Sequence, residues 1–359
     1  MPTIKDVARA AGVSVGTVSN HLNGTTQVAA STAQRIQRAI DDLGYHVHLG
    51  ARGLRVGASN TIGLVVPNIS NPFFGEIARG IEHELTSRGY QTFLCDSSDD
   101  PDREVAYLEN LANRRVDGAL VIYSNQENNP AARHRDVTVP IVYVDRAVAG
   151  HTSVTTDNEL GGRLVARHLL ELRHTRMGLM LGRPDVENVA ARFRGFQREL
   201  RAHGIDIPEA YIVRGRQTLE FGRDVEQLMS LPVPPTAVFA TSDIIAVGAW
   251  MALLSHGWRV PTDVSLIGFD DIELSRAMQP SLTTVAQNVP ELARHAVERL
   301  LAKLPHEGAS PRLQDHDLIP IEPRLVIRAS TAPLQLPEAR DQKDGGEAAG
   351  ELDVRSVRA

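Results

Sequence analysis

The sequence predicts a small all-α head in a helix-turn-helix arrangement, followed by an α/β body of two doubly wound parallel-sheet lobes. Residues 3 to 45 hold three short apolar patterns at helical spacing, punctuated by Gly12 and Gly44. From residue 61 onward β-branched runs alternate with amphipathic helices, the signature of parallel sheets. The later runs also repeat the earlier ones in order: IGLVV pairs with MGLML, VDGALVI with PTAVFAT, and IVYVDR with SLIGFDD. One fold is therefore used twice in the body.

In the head, Thr3 is placed to cap a helix carrying Ile4, Val7, Ala8 and Ala11 on one face, and Gly12 to stop it. Ser14 caps a second helix, VGTVSNHL, in which Val15, Val18 and Leu22 keep the i, i+3, i+7 spacing. Ser31 and Gln34 form a capping-box pattern for a third helix, with Ile36, Ala39, Ile40 and Leu43 inward. An ordinary helical bundle would show the same three helices. The polar Thr17, Ser19 and Asn20 on the second helix and the local charge favour helix-turn-helix.

That charge is hidden in the mean. The chain of 359 residues has a net charge of -6. Residues 1 to 60 nevertheless carry Lys5, Arg9, Arg35, Arg38, Arg52 and Arg55 against Asp6, Asp41 and Asp42, a balance of +3, which leaves −9 on the remainder. A basic head on an acidic body suggests that only the head meets a polyanion.

In the body the expected strands are residues 61–66, 91–95, 116–122, 140–144, 176–181, 210–213, 236–240 and 263–269. Asn71-Pro72 and Asp100-Pro101 read as N-caps with proline in the first turn, and Asp157 opens a helix whose Leu160, Leu164 and Leu172 mark a buried stripe. The organisation is then a head over 1–45, a hinge or linker over 46–60, a two-lobed effector-binding and dimerisation domain over 61–335, and a polar disordered tail over 336–359. The hinge has too little apolar content to form a core alone. In a doubly wound sheet ligands bind beyond the carboxyl ends of the strands. Asn71, Phe73 and Phe74 stand there after the first strand, either on a ligand or in the helix core.

Several classes are excluded. A single cysteine, Cys95, rules out a disulfide framework or a multi-cysteine metal site and reads as a buried small hydrophobe. The amino end lacks a signal-peptide core and no apolar run approaches a membrane span, so a cytoplasmic, nucleoid-associated protein without membrane contact is expected. HExxH, GxxxxGK[ST], CxxC and GxSxG are all missing, the thirteen histidines are scattered, and CDSSDDPDRE lacks the ligand order of a calcium loop. No enzyme, cofactor or metal is expected.

The residues TIKDVARAAGVSVGTVSNHLNG, then LGY, then ARGLR, resemble the lac repressor (LacI/GalR) family of bacterial transcription regulators, and IGLVVPNISNPFF, VDR, TSDIIAVGA and DVSLIGFDD follow in that family's order. The body is similar to periplasmic sugar-binding proteins, two lobes closing on a ligand about a hinge. The resemblance implies base reading from Val15, Gly16 and Asn20 at the start of the second helix. Thr3, Lys5, Thr17, Ser19 and Asn23 would then be phosphate contacts, or else solvated caps and surface, with Ser14 also at the DNA, and Leu54 a wedge in a minor-groove step flanked by Arg52 and Arg55, or else packed on the body. Gly16 departs from the usual polar residue, and His46, His48 and Leu49 depart from the residues expected before the hinge helix. In the body the resemblance implies effector contacts from Asp145, Arg146, Arg192 and Asp270, with Ser242 and Asp243 as neighbours. Asp243 is alternatively a helix cap, and Asp145 with Arg146 a structural ion pair.

The expectation is a homodimeric repressor of a near-palindromic double-stranded DNA operator, controlled by a small-molecule effector, a sugar or sugar derivative. A purine or nucleoside effector is the alternative, since Phe73 and Phe74 can stack on a base. A sugar-binding or sugar-processing protein without DNA function is the rival from another class. The tail has no leucine heptad, so a dimer is expected rather than a tail-linked tetramer.

Overall fold

The computed structural model describes residues 2–23, 28–45, 59–123, 133–304 and 317–334. The expected hinge residues Arg52, Leu54 and Arg55, together with His46, His48 and the tail, lie outside the described residues, as does the side chain of Asn23.

The head contains α1 (Ile4–Ala11), α2 (Val15–Asn23) and α3 (Ala30–Leu43) around Val7, Ala8, Ala11, Val18, Ile36 and Ala39. At the start of α1 the Thr3 amide and hydroxyl both donate to Asp6 Oδ2, at 2.9 and 2.7 Å, and Gly12 closes the helix at φ +62°. Arg35 on α3 donates Nε to the Ala11 carbonyl at 3.1 Å and Nη2 to that of Gly12 at 3.0 Å, satisfying carbonyls that α1 leaves open. The Ser31 capping box does not form. Helix α3 starts at Ala30 behind an Ala29 N-cap, so Ser31 already lies in its first turn.

The first lobe is built on β1 (Thr61–Val66), α4 (Pro72–Ser87), β2 (Gln91–Asp96), α5 (Pro101–Asn113), β3 (Gly118–Val121), β4 (Ile141–Val144) and β5 (Ser153–Thr156). The second uses α6 (Asn158–Glu171), β6 (Met177–Leu181), α7 (Glu187–Ala202), β7 (Ile212–Arg214), α8 (Leu219–Gly222), α9 (Val225–Met229), β8 (Ala237–Ala240), α10 (Asp243–Ser255), β9 (Ser265–Ile267) and α11 (Glu273–Ala277). There follow β10 (Thr284–Ala286), α12 (Val289–Lys303), β11 (Leu318–Ile321) and β12 (Arg324–Val326). The sheets run β11-β5-β4-β3-β1-β2 and β7-β6-β8-β9, with every pairing in them parallel. Each places its first strand between its second and third, the shared order behind the internal repeat.

The halves are not, however, self-contained. Helix α12 packs Leu292, Ala296 and Leu300 into the first lobe's core and β11 joins that lobe's sheet beside β5, so the chain returns to the lobe it left. Among the described residues it crosses between lobes after β5, between β10 and α12, and between β11 and β12. The crossings are tied together: the Asp157 amide donates to the Ile321 carbonyl at 2.9 Å, and β10 pairs with β12 antiparallel.

The expected stripe of Leu160, Leu164 and Leu172 on α6 is only half-buried; Gly161, Gly162, Val165 and Leu169 face inward instead. The cause is α7, which crosses α6 at backbone contact. A Cβ on Gly162 would stand 2.0 Å from the Arg192 carbonyl oxygen, and one on Gly195 1.9 Å from that of Glu159. Cys95 is half-buried on the edge strand β2 rather than deep in a core, since β2 has a neighbour on one side only.

Two buried histidines seat the described carboxyl-terminal stretch. His168 Nε2 lies 2.9 Å from Thr331 Oγ1, and His174 sits 2.9 Å from Thr236 Oγ1 and 3.0 Å from the Ala332 carbonyl. Burial pushes both imidazoles below their usual value. The unfolded chain therefore takes up protons first: this contribution is constant above the unfolded value of 6.5 and stability is lost as pH falls through it. The drop in melting temperature between pH 7.5 and pH 5.5 should be smaller in His174→Gln than in the parent chain, and an equal drop would refute the assignment.

Candidate effector cleft and nucleic-acid interface

Residues that follow the carboxyl ends of β1, β2, β4, β6, β7 and β9 meet where the two lobes face each other. Asn71 accepts from the Phe73 amide at 3.2 Å, starting α4 so that the Phe73 and Phe74 rings, 5.5 Å apart, lie at the lobe junction. Both rings are at once first-lobe core and crevice wall. Asp145 leaves β4 at φ +65°, and its carbonyl accepts from Thr155 Oγ1 and from Asn188 Nδ2 of the opposite lobe, each at 2.7 Å. The left-handed backbone is held by those two bonds.

Seven of the nine expected effector residues line one crevice: Asn71, Phe73, Phe74, Asp145, Arg146, Arg192 and Asp270. From α7, Arg192 donates to Asn158 Oδ1 at 2.8 Å, the Thr241 carbonyl at 2.7 Å and Asp270 Oδ1 at 3.3 Å, with its guanidinium 3.8 Å from the Phe269 ring centre. Gln287 Nε2 donates to the same Asp270 oxygen at 2.6 Å. Burial drives Asp270 and Arg192 each toward its neutral form, against the attraction between them. The guanidinium keeps its proton, so the strain falls on the carboxyl group. Burial likewise raises Asp145.

The crevice also holds buried polar atoms without partners among the described residues. Asp145 Oδ1 and Arg146 Nε make no hydrogen bond, although the two side chains approach to 3.8 Å. An acceptor and a donor side by side, both desolvated, are what a ligand hydroxyl satisfies by giving one hydrogen bond and receiving another. The expected ion pair is present, Arg146 Nε to Asp145 Oδ2 at 3.8 Å, but it leaves Asp145 Oδ1 and Arg146 Nε without a hydrogen bond.

Ser242 and Asp243 do not line the crevice. Asp243 opens α10 and accepts from Thr284 Oγ1 at 2.6 Å and the Ile272 amide at 3.0 Å, while its own amide donates to the Phe269 carbonyl at 2.6 Å. It holds the loop that presents Asp270, and its shortest bonds are spent on structure.

The lobes are closed on each other. Besides Asn188 and Asp145, the Glu273 amide donates to Glu76 Oε1 at 2.9 Å across the junction. The space left in the crevice is about 10 Å3, about one water. Above it, sharing Asn71, Phe74, Arg146 and Gln217, opens a cavity of about 620 Å3. Asn188 and Gln217 were missed in the sequence. Asn188 precedes Arg192 by one helical turn, and Gln217 follows β7, so both obey spacing rules already in use.

In the head, Val18 is buried and Leu22 partly so, whereas Val15 in the first turn of α2 is 38% exposed. Val15 and Gly16 therefore face outward from the helix start, with Asn20 one turn further along. Ser14 Oγ accepts from the Thr17 amide at 3.1 Å and lies 2.8 Å from Thr17 Oγ1, so the Ser14 hydroxyl also serves as a helix cap, while that of Thr3 donates to Asp6. Lys5 is exposed on α1, and Ser19 and Asn20 are half-buried. A Cβ on Gly16 would meet only Ser14 Oγ at 3.6 Å, so nothing in the backbone demands glycine there.

Residues 3–47 match the model described as bacterial regulatory proteins, lacI family, and residues 166–331 match the periplasmic binding protein-like domain. The HTH-type transcriptional repressor PurR of Haemophilus influenzae (strain PittEE) is 36% identical over 92% of this chain and 98% of its own. The chain belongs to the lacI family. Another member, the ribose operon repressor of Escherichia coli (strain K12), is 36% identical over 92% of this chain and all of its own. Among solved structures, the lac repressor dimer bound to operator and the anti-inducer ONPF superposes with a TM-score of 0.81 at 26% identity, covering 92% of this chain and 99% of that one. As a lacI-family member the chain is a DNA-binding transcriptional regulator and not an enzyme.

Proposed function

We propose that the chain is a homodimeric repressor that binds a near-palindromic operator through α2 and the hinge and is controlled by a sugar, or sugar derivative, held between its lobes. The observation that carries the sugar reading is the unsatisfied Asp145 Oδ1 and Arg146 Nε beside Arg192 and Asp270. Charged forks that bond paired hydroxyls, set against aromatic walls, are the chemistry of sugar recognition. The relatives named for repression, one of them of a ribose operon, support it. As a DNA-binding regulator the protein acts in the cytoplasm, associated with the nucleoid.

Apolar surface supports the dimer. Phe93 and Leu94 on the edge strand β2 are 48% and 50% exposed, and Met251 and Leu254 on α10 are 49% and 60% exposed. Helix α10 is apolar on its outer side as well as its inner one, which a monomer has no use for.

A gel shift with upstream DNA of the chain's own operon, with and without pentoses, hexoses, purines and nucleosides, tests the whole reading. A specific shift altered by a sugar is expected. No specific shift would overturn the repressor, and a response to purines or nucleosides alone would overturn the sugar. In the hinge, Leu54→Ala should weaken operator binding roughly ten-fold or more while nonspecific binding changes less than about two-fold, as a wedge into one base step requires. Equal losses on both DNAs would show that Leu54 is no wedge.

A further inference from the structure

We propose that the effector carries a phosphate monoester, held at the cleft mouth by Arg146, Arg183 and Arg216. The inference rests on the sugar cleft described above and extends it outward. The cavity of about 620 Å3 above the crevice holds far more than one sugar ring, and pockets of about 300–1,000 Å3 suit larger ligands. Its lining is unlike the crevice below. Three guanidinium groups from two lobes converge there: Arg146 after β4, Arg183 after β6 and Arg216 after β7.

All three act on the same carboxylate, that of Asp99. Yet none bonds it closely, for the nearest approach is Arg183 Nη1 to Asp99 Oδ1 at 3.9 Å. Arg183 is engaged on its other side, with Nη2 2.6 Å from Asp185 Oδ2. Arg216 is exposed, and its side chain makes no hydrogen bond or ion pair among the described residues. Three guanidinium groups thus line the cavity together with the carboxylates of Asp99 and Asp185, and Asp99, about half exposed, lies within hydrogen-bond distance of none of them. A dianionic group entering the cavity can take charge-assisted bonds from Arg216 and from the guanidinium groups that face the same space, bonds that a neutral hydroxyl cannot match. Arg146 spans both levels, lining crevice and mouth, so one side chain can hold a ring hydroxyl and face the phosphate beyond it.

Sugar phosphates and nucleoside monophosphates share this chemistry, and titration calorimetry separates them. The probes are ribose, glucose and fructose, their terminal phosphates, adenosine and its 5′-monophosphate, and inorganic phosphate as a competitor. A sugar phosphate should bind at least about ten-fold tighter than its parent sugar, with an advantage that shrinks as salt rises. Arg216→Ala and Arg183→Ala should each weaken the phosphorylated form at least about ten-fold more than the parent. Parent sugars that bind as tightly as their phosphates would overturn the phosphate subsite and leave the sugar reading standing. Binding by the nucleotide alone would retain the subsite and overturn the sugar, and binding by none of the probes would overturn both.

Discussion

An Arg192→Ala chain is expected to lose its effector response together with about 3–5 kcal/mol of body stability, and an Arg192→Ala/Asp270→Asn chain to recover the part owed to the stranded charge but not the response. The asymmetry follows from what Arg192 does in the closed cleft. Its guanidinium satisfies the Thr241 carbonyl, Asn158 Oδ1 and Asp270 Oδ1 and lies on the Phe269 ring. Removing it strands a carboxylate that is 5% exposed, and the Gln287 amide alone cannot offset that desolvation. Replacing Asp270 by asparagine removes the charge and keeps an acceptor for Gln287. Asp270→Asn by itself should then cost less than about 1 kcal/mol, because Arg192 and Gln287 retain an oxygen to bond. Its effector affinity should nevertheless fall roughly ten- to a hundred-fold, the worth of a charged rather than neutral hydrogen-bond acceptor. Denaturant unfolding of the body and effector-dependent operator release measure the two effects separately. A single Arg192→Ala variant as stable as the parent would show that the Asp270 carboxyl is already neutral and needs no partner.

Much of this arrangement was legible in the sequence because it is local. Helix caps at Asn71, Asp100 and Asp157 are written in two or three adjacent residues, and all three form. Strand ends could be placed from apolar runs, and the carboxyl-end rule then pointed to Asn71, Phe73 and Phe74, while the family resemblance implied Asp145, Arg146, Arg192 and Asp270. What was not legible depends on contacts between distant segments. Nothing local in LIPI says that β11 returns to the first lobe beside β5. Ser242 and Asp243 also follow a strand end, but the bonds from Asp243 to Ile272 and Thr284 turn that segment toward its own lobe. On α6 the leucines were the obvious stripe, yet the closest-packed face is the one with the smallest side chains. Which face a helix buries is decided by its neighbour, and α7 lies thirty residues further along the chain.

That neighbour makes the second large effect. Gly195→Val is expected to prevent stable folding of the second lobe, and Gly195→Ala to destabilise it by about 3 kcal/mol, at the upper end for an overpacked core. An added Cβ would stand 1.9 Å from the Glu159 carbonyl oxygen, and a carbonyl in the first turn of α6, directed along the helix by its backbone, cannot rotate aside. The helices must separate instead. Gly162 meets the backbone of α7 in the same way at 2.0 Å from the Arg192 carbonyl, so the contact is two-sided and neither helix can tilt to relieve one end without tightening the other. Separation also opens the Arg192 to Asn158 bond, which spans this crossing, and shifts Asn188 from the Asp145 carbonyl. Effector affinity in any Gly195→Ala protein that folds should therefore drop by about ten-fold or more, because cleft residues held to within fractions of an ångström are displaced. Gly75→Ala supplies the contrast within the same chain. It lies in α4 with nothing within 4 Å of the added carbon, so alanine's better helix propensity should raise stability by about 0.4–1 kcal/mol. Thermal unfolding of the two variants side by side decides it: equal melting temperatures would mean that the crossing of α6 and α7 is loose enough to admit a methyl group, and that Arg192 is positioned by its hydrogen bonds alone.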